Sequence, residues 1–138
     1  MTAINKIANG LSELQKNDNI TYPFDIQPIP GDVDILKITL EDIEELPVYV
    51  SASDDQILCI SYLFKEDEIS NDIDHSLHDI MLKMNIPMPL SSFSKIGEQY
   101  VIFGALSINS SIEDIAHEIE ILSENTLEAI ETLQDYLK

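Results

Sequence analysis

Two rhythms of apolar spacing alternate along the chain. Ile4, Ile7, Ala8, Leu11 and Leu14 fall at steps of three, one, three and three, which predicts a short helix over 5–14, weakened by Gly10 in its middle. Asn17-Asp18-Asn19 breaks that pattern, and the spacing then shortens to two. Residues 20–29 read as an extended segment with Tyr22, Phe24 and Ile26 on one face, and Pro23 places this strand at a sheet edge or makes it start late. Pro28 to Asp32 is a turn by composition. Val33 to Leu40 follows as a half-buried strand, with Leu36, Ile38 and Leu40 opposite Lys37 and Thr39.

Glu41 to Glu45 reads as an acidic connection and Pro47 to Ala52 as a short strand. After the turn Ser53-Asp54-Asp55, residues 56–64 form a strand with apolar groups on both faces, hence central in the sheet. Lys65 to Ile69 is a charged loop. Ser70 then caps a helix carrying Ile73, Leu77, Ile80, Met81 and Met84 on one stripe, with Asp72 and Asp74 in its first turn. Pro87 and Pro89 stop that helix, because proline lacks the backbone donor and biases its predecessor toward extended geometry. Two strands follow, 90–96 and 99–106, and Gly104 inside the second marks a bulge or the close approach of another backbone.

The last element starts after Ser110 or Ser111. Ile112, Ile115, Ile119, Leu122, Thr126, Ile130, Leu133 and Leu137 form its apolar row, with a bend expected near 123–125. Its opposite face is assigned the acids, Glu118 among them. Ala116, Ile121, Leu127 and Ala129 widen the apolar face. Together the elements predict a single domain over 1–138 of the α+β class. It has an antiparallel twisted sheet of five to six strands, helices packed mainly on one face, and the order α-β(3-4)-α-β-β-α.

Composition narrows what such a domain can do. Its 138 residues suffice for one core without disulfides or metal. The single cysteine, Cys59, lies in a strand and reads as a buried structural thiol. Seven lysines, no arginine and 26 acids give a formal charge of −19, which repels nucleic-acid backbones and anionic membranes. A protein partner is the expectation, and an acidic mimic of nucleic acid in a basic groove is the alternative. The N-terminus lacks a basic head followed by an apolar core, and no apolar run reaches the roughly 20 residues needed to span a bilayer. A cytoplasmic protein without direct membrane insertion is expected.

Candidate chemistry is sparse. His75 and His78, with Asp74 or Asp79, are spaced to face one metal ion, and a metal-dependent activity through them is a further alternative. Two imidazoles at i and i+3 on an acidic helix are, however, common without metal. The acidic runs 41–45 and 66–68 lack the glycine-punctuated loop of an EF-hand, and the glycines are too few and scattered to cradle phosphate. Ser91, Ser92 and Ser94 have no nucleophile elbow around them, and His117 has no evident role as their base. No catalytic residue, metal or cofactor is therefore assigned. What remains is a methionine-rich apolar seam, Met84, Ile86, Met88 and Leu90, either core filling or a surface for a partner.

The runs 56–60, 84–94 and 100–107 resemble the YjfI-like family of bacterial proteins across nearly the whole chain, most specifically in Met84-Asn85-Ile86-Pro87-Met88-Pro89-Leu90. That family has no established activity, so the resemblance carries over no catalytic residue. Its gene context implies a partner similar to the membrane-remodelling phage-shock protein A and an envelope-stress setting. More distantly, element order and charge resemble the type III secretion chaperone-like fold, whose members are small, acidic and often dimeric. This implies a non-enzymatic chaperone-like or adaptor module and a homodimer. Those chaperones usually carry three strands before the middle helix, so either 20–29 is not a strand or the fold differs in detail.

Overall fold

The computed structural model describes residues 2–17, 23–70 and 76–138. Helix α1 (Ala3–Lys16) begins two residues before its expected start, because the Thr2 side chain accepts a hydrogen bond from the Asn5 amide and caps the first turn. Ile4, Ile7, Leu11 and Leu14 are its buried face, as their spacing predicts. Gly10 lies where a methyl group would overlap the Ile112 side chain, so its glycine lets α1 pack closely on the last helix.

Four strands follow: β1 (Phe24–Ile29), β2 (Ile35–Leu40), β3 (Ile43–Ala52) and β4 (Gln56–Lys65). β1 is a true strand, paired along its length with β2, and it starts just after Pro23 at the sheet edge. Tyr22 lies outside the described residues. The acidic stretch 41–45 is not simply a connection. Only Glu41 and Asp42 turn, and Ile43, which is buried, starts β3. Leu40 faces Ile43 and Ile38 faces Val48, so 44–47 bulge out of the ladder and accommodate Pro47, which has no amide to donate.

A turn of 3-10 helix at Glu66–Glu68 replaces the expected loop. Helix α2 (Ser76–Met84) buries Leu77 and Met81; the stretch 71–75, with Ile73, falls outside the described residues. The hairpin β5 (Ser92–Ile96) and β6 (Gln99–Ser107) turns at Gly97, with φ +58°. β5 begins two residues later than its apolar run suggests, because Leu90 takes a left-handed φ of +65°.

Helix α3 (Ile112–Leu133) is capped by Ser111, whose hydroxyl accepts from the Asp114 amide. It runs without interruption through the expected bend. It stops short of Leu137, which bridges to Ile69, while the Ser70 amide donates to the Tyr136 carbonyl and Lys138 to that of Glu68. These bonds compete with a further helical turn and win it.

The strands form one antiparallel sheet in the order β1-β2-β3-β4-β6-β5, with β4 central as its two apolar faces predict. Alternation and register place Leu36, Ile38, Val48, Val50, Ile57, Cys59 and Ile102 on one face. There they join the buried faces of α1 and α3 in the main core. Near Leu63 the β4–β6 register shifts, which turns Phe64 toward the same side as Tyr100. With Leu77, Met81 and Leu133 these two rings make a second, smaller core under α2. The helices therefore sit on one face, as expected, and none of the described helices covers the other.

Candidate functional site

Between α2 and β5 the chain crosses the surface as a strap, 85–91. Its two prolines and the left-handed Leu90 keep it out of regular structure, so its polar backbone groups need outside partners. Asn125 of α3 supplies two bonds, donating from Nδ2 to the Pro89 carbonyl at 2.8 Å and to Ser91 Oγ at 3.0 Å. Asn85 accepts from the Phe93 amide at 2.7 Å. The serine that follows the prolines is thus a buried structural group held by an amide.

The strap divides the methionine seam. Met88 packs on the main core and Met84 on the smaller one, both half-buried. Ile86 is 90% exposed and Leu90 is 55% exposed. Beneath the strap a groove of about 240 Å³ is lined by Met84, Pro87, Met88, Asn125, Glu128 and Ala129. A second apolar groove, of about 290 Å³, lies between α2 and the β5–β6 hairpin, lined by Met81, Leu82, Phe93 and Tyr100.

The histidine-aspartate cluster is not assembled among the described residues, where no three His, Cys, Asp or Glu side chains stand together as a metal site. His75, Asp72 and Asp74 lie outside the described residues. His78 Nε2 is 2.7 Å from the Tyr100 hydroxyl and its ring stacks on that of Tyr100. Asp79 pairs with Lys83 at 2.8 Å. Lys95 lies 4.9 Å over the same Tyr100 ring and bonds Glu66, which lowers the pKa of the Glu66 carboxyl and raises that of the lysine.

Glu118 overturns its sequence assignment. It belongs to the buried side of α3, only 4% exposed, and its Oε1 makes no hydrogen bond among the described residues. It rests against Gly104, where a methyl group would overlap Oε1 and lie 3.1 Å from the Leu90 carbonyl oxygen. The backbone expected to approach the lone glycine of β6 is there in the Leu90 carbonyl, but the Glu118 side chain comes nearer still. Burial holds the Glu118 carboxyl above the usual carboxylate range, and His117 pulls it back. Cys59 shares this interior: burial, with Glu118 adding to it, pushes its thiol up to about 12, as befits a structural cysteine. The missed signal was spacing, since 115, 118, 119 and 122 form one helical stripe.

A family model described as an uncharacterized protein conserved in bacteria, DUF2170, matches residues 2–137. The uncharacterized protein YjfI of Escherichia coli, in strains K12 and O157:H7, is 31% identical over 105 residues, 73% of this chain and 77% of YjfI. Among solved structures, a chain of the HopA1–SchA chaperone–effector complex superposes with a TM-score of 0.62 at 12% identity, covering 95% of this chain and 98% of that one. An uncharacterized protein from Methanothermobacter thermautotrophicus does so with 0.58 at 10% identity, over 93% and 99%. At such identities the two structures speak for the fold alone.

Proposed function

The chain belongs to the DUF2170 family, with YjfI as a relative, and we propose that it is a non-enzymatic protein-binding module of chaperone-like or adaptor type. In this reading it acts in the bacterial cytoplasm as a homodimer, during envelope stress. Its first candidate partner is a protein similar to phage-shock protein A, which comes from the gene-context resemblance.

The observation that carries the proposal is Leu90. A leucine with positive φ costs roughly 1–2 kcal/mol over glycine, yet this one is more than half exposed. Backbone strain that persists at an exposed side chain points to a use for that side chain. Ile86 beside it is still more exposed, and the half-buried Met84 and Met88 line the groove below with flexible thioethers. The fold likeness to a chain of a chaperone–effector complex supports the same class.

Calorimetry with a purified phage-shock-protein-A-like protein tests this. Ile86→Asp should weaken binding at least tenfold, about 1.4 kcal/mol. Leu90→Gly should weaken binding while leaving the fold intact. Undiminished affinity in both variants removes the strap from the proposal, and no complex with the wild-type chain removes this partner. An apolar contact also predicts affinity that survives added salt, whereas an acidic mimic would lose it steeply.

A further inference from the structure

The sheet face turned away from the helices has a chemistry unlike the rest of the surface. Register places Tyr49, Leu58, Ile60, Tyr62, Phe103 and Ala105 on it. Tyr62 is 49% exposed, and its ring lies 5.3 Å from that of Tyr49. The outward positions 49, 51, 58, 60, 62, 101, 103 and 105 include no charged residue, in a chain with 26 acids. The charged residues of this face stand around that patch: Asp25 on the edge strand β1, Lys37 beside Tyr49 on β2, and Lys65 at the end of β4. The acids are gathered instead on α3 and in the turns, on the far side or around the rim.

We infer that a second copy of this chain covers this face, sheet against sheet, in a two-fold contact. Charge selects the occupant and the orientation together. Two chains of −19 repel wherever acid meets acid, and across the paired positions of β2 to β6 on this face neither copy brings any, Asp25 standing outside them on the edge strand β1. Stacked sheets lie about 10 Å apart, and each carries α3 roughly 10 Å further out, so the two acidic helices end about 30 Å apart. The Debye length at physiological salt is about 8 Å, so their repulsion is largely screened. Area is sufficient: the five strands β2 to β6, about 4.8 Å apart and about 20 Å long, make a face of roughly 480 Å² in plan, so the pair buries on the order of 1,000 Å² in total, the lower bound for a specific interface. The inference takes only the homodimer from the preceding reading, because the strap lies on another surface.

Sedimentation equilibrium of the full chain tests it. The wild type should run at twice the chain mass at tens of micromolar, and added salt should hold or strengthen the dimer. Phe103→Asp should run at the mass of one chain. Tyr62→Glu alters a side chain already half in solvent, so it should give the same result with the far-ultraviolet circular dichroism and melting transition of a folded protein. Ile86→Asp, which tests the partner surface, should stay dimeric. A monomeric wild type overturns the inference and leaves the face to a different protein. A dimer that survives Tyr62→Glu and Phe103→Asp, or one that dissociates as salt rises, overturns it as well.

Discussion

Glu118 is a carboxyl placed where its charge is poorly tolerated, and its consequence is a pH dependence of definite sign. Its folded-state pKa lies above the unfolded value of 4.5 because burial penalises the anion. The stability tied to its neutral form is therefore fully present below pH 4.5 and is lost as pH rises through the elevated folded value. Glu118→Gln stays neutral throughout. It should match the wild type in urea unfolding at pH 4.5 and exceed it at pH 8, by on the order of 1 kcal/mol, the cost of a buried polar group left unpaired. Parallel curves across that range would show that the carboxylate is accommodated after all. Gly104 is the other half of the arrangement. Gly104→Ala should cost about 1–3 kcal/mol by overpacking. That cost should shrink in a Glu118→Ala background, because one of the two groups the new methyl strikes has gone.

At the scale of elements, the strap is the part whose order is borrowed. It has no ladder of its own, and Asn125 holds it to α3 through the Pro89 carbonyl and Ser91. Asn125→Ala should destabilise by about 1–3 kcal/mol. Hydrogen exchange should quicken at Ser91 and Phe93 while the amides of β3 and β4 stay protected, and uniform loss of protection would count against a local role. This is also where the sequence reads least well. Alternating strands, the central place of β4 and the start of α3 after Ser111 follow from spacing and caps, which are local, whereas the Thr2 cap, equally local, went unread and α1 starts two residues early. The start of β5 at Ser92, the entry of Ile43 into β3 and the release of Leu137 from α3 depend on contacts with distant residues. Of the candidate site, the apolar seam was legible. Which of its members face solvent was not, because the path of the strap depends on Asn125 of α3 and Gly104 of β6, both distant in sequence.

For the molecule as a whole, charge is the dominant unsatisfied term. The pairs Lys16–Glu13, Lys83–Asp79 and Lys95–Glu66 lie on the surface, where such pairs contribute little. The remaining acids repel one another in the compact state more than in the open chain. Raising salt from a few millimolar to physiological strength should therefore stabilise the fold by about 1 kcal/mol, seen in calorimetry as a rise of roughly 4 °C in Tm. A Tm that falls with salt would mean that attractive pairs outweigh the repulsion. The interior offers a way to watch the same balance from inside. Cys59 is wholly buried, and its thiol holds its proton to about pH 12, so an alkylating reagent that needs the thiolate cannot reach or react with it in the folded chain. As the only cysteine, it turns the rate of alkylation into a clock for how often the sheet and α3 come apart, without any label added to the protein.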